Sequence, residues 1–416
     1  MKRELKVAVM GYGTVGRGVC EILCEKGELL AARSDVDEVS LQYVLDIKDL
    51  TGEPVEALWV RSVDTIVSDP SVNVVVETMG GTEPAFTFCM KCLNAGKNVI
   101  TSNKQLVAEK GEALFQAARA NNVSFRFGAA VCGGIPVLRT TVYGLAANRM
   151  RSFCGILNGT TNFILSKMIN ENMSFATALK LAQENGYAEA DPAADVDGHD
   201  ACRKTAILCA IMFGGHVYPD EISTEGISKI TLEDVAYVND FGGKIKLLGR
   251  GKQLEDGSVC AMVSPAVIRN DSMLANVEGV YNAVLLHGDK IGTVMLYGQG
   301  AGKDATASAV VADILDCGRK PGFDTAYSWE AADKKRMADP DEQTLRLYVR
   351  GFANQENTLS ELRESFGSLT VLHRENAPGN EIAFITDEDK EKALTEQLRQ
   401  VKSFAAASVI RLVSET

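Results

Sequence analysis

Short apolar runs and helical-period segments take turns along the N-terminal third of the chain. Leu5-Lys6-Val7-Ala8-Val9-Met10 is brief and mostly apolar, and Gly11-Tyr12-Gly13-Thr14-Val15-Gly16 follows it at once. Val15, Val19, Ile22 and Leu23 then recur at helical spacing. Further strands are predicted over Leu41 to Ile47, Ser71 to Val76, Asn98 to Thr101 and Ser124 to Phe127, with helices over Pro84 to Asn94 and Gly111 to Asn121 between them. Strands alternating with helices predict an α/β fold with a doubly wound parallel sheet.

The pattern changes near Ser152. A strand over Phe153 to Leu157 is followed by helices over Thr161 to Ile169 and Ser174 to Glu184, the second stopped by Gly186. An acidic loop runs from Tyr187 to His199, and a long helix starting near Asp200 buries Ala206, Ile207 and Ile211. Strands over Val259 to Ser264, Ala283 to His287 and Lys290 to Leu296 complete a mixed α+β region. The charged stretch from Ala331 to Gln343 reads as a linker. Beyond it, Leu345 to Gly351, Thr358 to Ser365, Leu369 to His373, Glu381 to Thr386, Glu391 to Ser403 and Ser408 to Val413 give the order βαββαβ, the ferredoxin-like pattern. The expected boundaries are therefore residues 1–135, 136–330, 331–343 and 344–416.

Composition narrows the classes. The 416 residues carry a net charge of −12, which argues against a general nucleic-acid binder. No apolar run approaches the roughly 18 residues of a spanning helix, so no membrane role is expected. The basic start resembles a signal peptide, but glycines interrupt its apolar stretch within a few residues, which fits a strand and a cytoplasmic protein. The ten cysteines, with one CxxC at Cys89 and Cys92, read as buried thiols in a reducing compartment. The four histidines show no zinc-ligand spacing.

Chemistry enters at the glycine triplet. Gly11-x-Gly13-x-x-Gly16 lies directly after a strand and opens a helix, the context of a dinucleotide fingerprint in a Rossmann-type domain. Gly11 makes the tight turn, Gly13 admits a pyrophosphate, and Gly16 lets helix and strand pack closely. Helix N-terminal amides then favour the anion. The region after the second strand reads Asp46-Ile47-Lys48-Asp49. An acid there favours NAD and a base favours NADP, so both coenzymes stay open. The Tyr187–Lys204 segment crowds five carboxylates ahead of Lys204, with Asp200 and Lys204 on one helical face. On composition alone that is a solvated acidic loop.

The spacing of Ala182, Gly186-Tyr187-Ala188, Asp191-Pro192, Asp195-Val196, Gly198, Asp200 and Lys204 resembles the homoserine dehydrogenase signature. Thr101-Ser102-Asn103-Lys104, Gly133-Gly134-Ile135-Pro136, Asn158-Gly159-Thr160-Thr161-Asn162 and Gly300-Ala301-Gly302 occur in the family's order. The C-terminal unit resembles an ACT regulatory domain, and the resemblance covers essentially the whole chain. It implies reversible NAD(P)H-dependent reduction of L-aspartate 4-semialdehyde to L-homoserine in threonine, methionine and isoleucine biosynthesis. It implies Lys204 as acid/base, Lys104 in contact with substrate and nicotinamide, and Asp200 holding Lys204 or the reactive hydroxyl. Glu189 and Asp195 would take the substrate ammonium, with Gly159 and Thr160 as further substrate contacts. The coenzyme would lie against Gly11, Tyr12, Gly13, Thr14, Val15, Gly16, Lys48, Thr78, Lys104 and Gly300. A monovalent cation, sodium, would sit on carbonyls of Gly128, Val131, Gly133 and Ile135, although the family commonly has Glu at the position of Gly128. A homodimer or homotetramer is expected, with threonine as a candidate effector. Against that effector, Arg350 to Asn357 lacks the Asp-x-Pro-Gly turn that shapes such sites. Two rivals compete: a semialdehyde dehydrogenase with Cys132 as nucleophile, and a sensor that has kept the two-domain shell.

Overall fold

The computed structural model describes residues 3–331 and 336–414; residues 332–335 of the expected linker lie outside that range. In chain order the elements are β1 (Glu4–Met10), α1 (Thr14–Ser34), β2 (Glu38–Leu45), β3 (Trp59–Val60), α2 (Val63–Ser68), β4 (Val74–Glu77), α3 (Ala85–Asn94), β5 (Asn98–Thr101), α4 (Lys104–Ala120) and β6 (Phe125–Arg126). Then come α5 (Val137–Arg139), β7 (Met150–Ile156), α6 (Gly159–Glu171), α7 (Phe175–Glu184), α8 (Ala193–Val196), α9 (His199–Phe213), β8 (Ser223–Thr224), α10 (Leu232–Asp240), β9 (Gly243–Gln253) and β10 (Val259–Arg269). The remainder is β11 (Tyr281–Gly288), β12 (Gly292–Gln299), α11 (Lys303–Arg319), β13 (Thr344–Ala353), α12 (Thr358–Phe366), β14 (Leu369–Leu372), β15 (Glu381–Thr386), β16 (Asp389–Lys390), α13 (Glu391–Gln400) and β17 (Phe404–Leu412).

Contacts divide the chain into two compact units. The first comprises residues 1–150, 206–221 and 288–334. Its sheet runs β3-β2-β1-β4-β5-β6, with every strand pair parallel. Val74, Val75, Val76, Val99 and Ile100 are all buried, as strands covered on both faces demand. The strand order reverses at β1, so a crevice is expected beyond the carboxyl ends of β1 and β4. This is the Rossmann-type domain that the alternating pattern predicts.

The expected boundary at 135 does not follow this compactness, because late segments complete the first unit's core. Val310, Val311 and Ile314 of α11 join Val7, Val19 and Val76 in one apolar cluster. Trp329 packs edge-on against Phe115 and Phe127 and donates from Nε1 to His216 Nδ1 at 2.9 Å. Buried Arg126 is paired with Asp316 and Asp324, at 3.5 and 3.1 Å.

The second unit comprises residues 151–205, 222–287 and 335–416. Its mixed sheet pairs β7 with β9 and β9 with β10, both antiparallel. Parallel pairing of β10 with β17 through Ala266↔Arg411 and Val267↔Leu412 carries the sheet into the C-terminal strands. Those strands follow the predicted βαββαβ order, with the two-residue β16 added, and β17, β13, β15 and β14 lie side by side. One face of this C-terminal sheet is covered by its own helices through Leu362 and Leu394. The other docks on α10, where Arg350 meets the fully buried Asp234 at 2.8 Å and Glu381 at 3.1 Å. The segment expected as a separate module is thus joined to the second unit by main-chain pairing and buried charge.

Candidate active site

In the first unit the glycine loop leaves β1 at Gly11, whose φ of +98° favours glycine. Its amide donates to Leu45 O at 2.8 Å, and its carbonyl accepts from Thr78 Oγ1 at 2.8 Å. A Cβ on Gly16 would run into the Gly11 carbonyl, so loop and helix touch there. Gly13 faces open space, with no atom within 4 Å of a Cβ at that position. It is the N-cap of the 21-residue α1, and no side chain caps that terminus. The first-turn amides therefore stay available to an anion approaching over Gly13.

The Thr78 turn is held from below. Glu77, fully buried at the end of β4, accepts from Met79 N at 2.7 Å and from Thr101 Oγ1 at 2.5 Å. Burial pushes its carboxyl above the usual carboxylate range in spite of these bonds. Thr101 Oγ1 in turn accepts from Asn103 N, and Asn103 Nδ2 donates to Gly81 O at 2.6 Å. Asn103 also caps α4 through Leu106 N, which places Lys104 as the first helical residue. Sequence reasoning noted Thr78 and Lys104 and overlooked Glu77, Thr101 and Asn103 as the frame joining them. A carboxylate at a strand's end was the available signal.

Asp46 is fixed by main-chain amides, with Oδ2 accepting from Tyr12 N at 2.6 Å and Oδ1 from Lys48 N at 2.8 Å. Lys48 itself is exposed. Gly300 meets the Gly128-to-Ile135 turn, because a Cβ on Gly133 (φ +47°) would lie 2.6 Å from its carbonyl. Val131 is fully buried in that turn, and the Ile135 carbonyl already accepts from Val137 N at 2.7 Å.

Gly128 is tightly constrained. Its amide donates to Asp313 Oδ2 at 2.7 Å, and a Cβ there would lie 2.9 Å from that carboxylate. Asp313 thus fills the space that a Glu at 128 would enter. Gly128→Glu is expected to destabilise by about 1–3 kcal/mol, since it overpacks a buried carboxylate with a second one. Thermal melting checks this, and an unchanged midpoint would count against it.

In the second unit the acidic segment folds onto α6. Lys204 and Asp200, both buried on α9, are joined by an ion pair of 2.7 Å. Lys204 Nζ also donates to Leu157 O at 2.7 Å. Asn158 Nδ2 donates to Asp200 Oδ2 at 3.0 Å and to Asp195 Oδ1 at 2.6 Å, while its Oδ1 caps α6 through Thr161 N at 2.8 Å. Burial, and then Asp200 beside it, lifts the Asp195 carboxyl above the usual range. Gly159 and Thr160 begin α6 directly after Asn158, and Thr160 Oγ1 donates to Tyr187 O at 2.7 Å. Gly159 lies against Val280, whose carbonyl would be 2.6 Å from a Cβ. Glu189 is not drawn in: it is exposed, and its carboxylate makes no hydrogen bond among the described residues.

A family model described as homoserine dehydrogenase matches residues 136–315, and one described as homoserine dehydrogenase, NAD binding domain, matches residues 11–128. The homoserine dehydrogenase of Synechocystis is 37% identical over 99% of this chain and 100% of its own length. The chain belongs to the homoserine dehydrogenase family. The Helicobacter pylori homoserine dehydrogenase is 36% identical over 97% of this chain and 96% of its own. The crystal structure of the Thiobacillus denitrificans homoserine dehydrogenase superposes with a TM-score of 0.88 at 34% identity, covering both chains completely. A hyperthermophilic archaeal homoserine dehydrogenase, solved in complex with NADPH, matches 75% of this chain and 97% of its own at 27% identity, with a TM-score of 0.63.

As a homoserine dehydrogenase the chain is an NAD(P)-dependent oxidoreductase of amino-acid biosynthesis acting on a small molecule. The cysteine-nucleophile rival fails on access as well, since Cys132 is fully buried. No described helix is long and apolar enough to cross a membrane.

Proposed function

We propose that Lys204, Asp200, Asp195 and Asn158 form the catalytic and substrate-holding cluster of this homoserine dehydrogenase. The observation that carries the reading is the cluster's charge. The buried Asp200, the half-buried Asp195 and one ammonium leave a formal excess of one negative charge, which a substrate ammonium neutralises. Asp195 and the first turn of α6 hold the amino-acid end of L-homoserine or L-aspartate 4-semialdehyde. Glu189, exposed on the same loop, is the second carboxylate for that ammonium.

The nicotinamide, when bound, supplies or accepts the hydride. In reduction the carbonyl oxygen gains negative charge, and Lys204 Nζ delivers its proton. In oxidation neutral Lys204 takes the hydroxyl proton. Asp200 and the Leu157 carbonyl fix the ammonium's direction, which makes Asp200 a positioning residue for Lys204. The first-turn amides of α1 above Gly13 would hold the coenzyme pyrophosphate, and Lys104 and Thr78 would border the nicotinamide.

The division of labour is coenzyme binding by residues 1–135, substrate binding and dimerisation by 136–330, and regulation by 344–416. Sodium would be held by the carbonyls of Gly128, Val131 and Gly133, with Ile135 the weakest member because its carbonyl already accepts from Val137 N. The protein works as a cytoplasmic homodimer or homotetramer, with threonine as the candidate effector of the C-terminal unit.

The test follows nicotinamide absorbance with L-homoserine and NAD+ or NADP+, at varied sodium. Turnover confirms the reading, and a folded protein that binds coenzyme without turnover sinks it. Asp46, fixed at the end of β2, repels a 2′-phosphate. Asp46→Asn is therefore expected to raise kcat/KM for NADP+ relative to NAD+ by about tenfold. An unchanged ratio would move coenzyme selection to exposed Lys48.

A further inference from the structure

L-Homoserine is a zwitterion, and the Lys204 cluster answers only one of its charges. Asp195, Asp200 and Lys204 together balance the substrate ammonium. The α-carboxylate is left without a counter-charge. A cation suited to it lies in the same unit, against the first turn of α6.

Lys246 of β9 is 1% exposed. Its Nζ donates to Asn162 Oδ1 at 3.0 Å and to Val277 O at 2.6 Å, both neutral acceptors. No carboxylate lies within 4.0 Å of it among the described residues, and neighbouring Glu278 pairs with Lys244 instead, at 3.0 Å. Burial, and then the charge of Lys244, hold the Lys246 pKa down to about 8, so the group remains an ammonium at neutral pH. A desolvated cation without a counter-ion is costly, and a bound anion lowers that cost.

The helix beside it adds to the imbalance. Asn162 is the fourth residue of α6, so Lys246 lies at the positive end of the helix dipole. Acidic side chains are favoured at that end, and α6 has none in its first turn. The Asn158 side chain takes up only Thr161 N, which leaves the Gly159 and Thr160 amides uncapped. Asn282 of β11 is an independent sign. It too is 1% exposed, yet neither polar atom of its side chain has a hydrogen-bond partner. A Cβ on Gly159 would lie 3.5 Å from its Oδ1, so this amide faces the start of α6. An ammonium, a helix terminus and an unpartnered amide thus meet at one place, and a carboxylate satisfies all three.

The Lys246–Asn162 link also fixes position. Asn162 Nδ2 donates to Val277 O and Tyr281 O at 3.2 and 3.1 Å, and Gly279 N donates to Ser166 Oγ at 3.2 Å. The loop from Val277 to Tyr281 is thereby tied to α6, with the Val280 carbonyl against Gly159.

We propose that Lys246 is a specificity-determining residue that makes the first turn of α6 the seat of the substrate α-carboxylate and selects the free amino acid over its uncharged derivatives. It acts as a positioning residue, through its charge and through Asn162, without touching the substrate. The inference rests on the catalytic reading above, which puts the amino-acid end of the substrate at α6.

The test compares L-homoserine with L-homoserine amide, which keeps the hydroxyl and amino groups and lacks the carboxylate charge. Nicotinamide absorbance at neutral pH gives KM and kcat for each, and the Ki of the amide against homoserine replaces its KM if it is not turned over. The parent is expected to prefer homoserine. Lys246→Met, which keeps the stem and removes the charge, is expected to raise the KM for homoserine about tenfold, with a smaller change in kcat. The value for the amide and the KM for coenzyme are expected to stay within about twofold, so the preference for homoserine falls about tenfold. Lys246→Gln keeps a donor for Asn162 without the charge. It is expected to lose the preference in the same way, and it decides the matter if the methionine variant does not fold. A residue that only holds the fold together would weaken both compounds alike. An unchanged preference in Lys246→Met, parent-like preference in Lys246→Gln, or a parent that does not discriminate overturns the proposal. A folded parent that fails to turn over homoserine would count against the catalytic reading instead, and melting-point shifts with the two compounds would then carry the same comparison.

Discussion

Lys204→Met is expected to lower homoserine turnover by about 10³-fold or more, equivalent to about 4 kcal/mol of transition-state stabilisation. Methionine keeps most of the buried stem, so the loss reports the ammonium and not a cavity. The Lys204 ammonium touches Asp200 and the Leu157 carbonyl, and Asp195 lies in the same network through Asn158. Removing it leaves buried Asp200 and half-buried Asp195 without their cation. Part of the change must therefore appear as stability, at about 3–5 kcal/mol for a broken buried pair, unless one carboxyl takes up a proton. Asp195 is the one that does so, because burial and Asp200 already lift it above the usual range. A group raised in the folded state costs stability above its unfolded value and ceases to do so once protonated. The variant should accordingly lose less stability at low pH than at neutral pH. Coenzyme affinity is expected to change little, since the Gly11–Gly16 loop does not include this lysine. Turnover within tenfold of the parent, in a folded variant, would remove Lys204 from the acid/base role.

Local chemistry explains what the sequence could reveal. The glycine loop is legible because each glycine answers a short-range need: a positive φ at Gly11 and contact with the Gly11 carbonyl at Gly16. The Asp200–Lys204 pair is legible because four residues make one helical turn. Strand β9 is not legible, because Lys244, Lys246, Arg250 and Lys252 break its apolar pattern. Lys246 is buried there only because Asn162 Oδ1 and the Val277 carbonyl accept from it, at 3.0 and 2.6 Å. Those partners are 84 and 31 residues away, beyond any windowed reading. Helix α11 does show helical spacing in Val310, Val311, Ile314 and Leu315, but the burial of its Asp316 answers Arg126 from a distant segment. Membership of residues 288–334 in the first unit is likewise fixed by tertiary packing. Glu189 shows the converse case: a motif position proposed for the ammonium lies exposed on its loop.

Asn158→Ala is expected to lower kcat/KM for homoserine by about 10²-fold, although this side chain holds no reactive proton. One amide group does three jobs. It caps α6 through Thr161, and its two N–H bonds run to Asp200 and Asp195. The cap alone is worth about 1 kcal/mol. Losing the amide also leaves each carboxylate short of a donor in a buried site, at about 1–3 kcal/mol each. The like charges of Asp195 and Asp200 then lose the group that spaces them, and Asp200, the partner of Lys204, loses one of its anchors. The loss should fall on both kcat and KM, because the acid/base group and the substrate ammonium site are disturbed together. Asn158→Asp separates the two contributions: it keeps an oxygen for the α6 cap and removes the donors. If capping were the whole role, the aspartate variant would retain near-parent activity and melting. The hydrogen-bond pattern instead predicts that it is the worse of the two, since a third carboxylate then faces Asp195 and Asp200. Stopped assays and melting of both variants decide between these outcomes, and an aspartate variant more active than the alanine one would overturn the bridging role of Asn158.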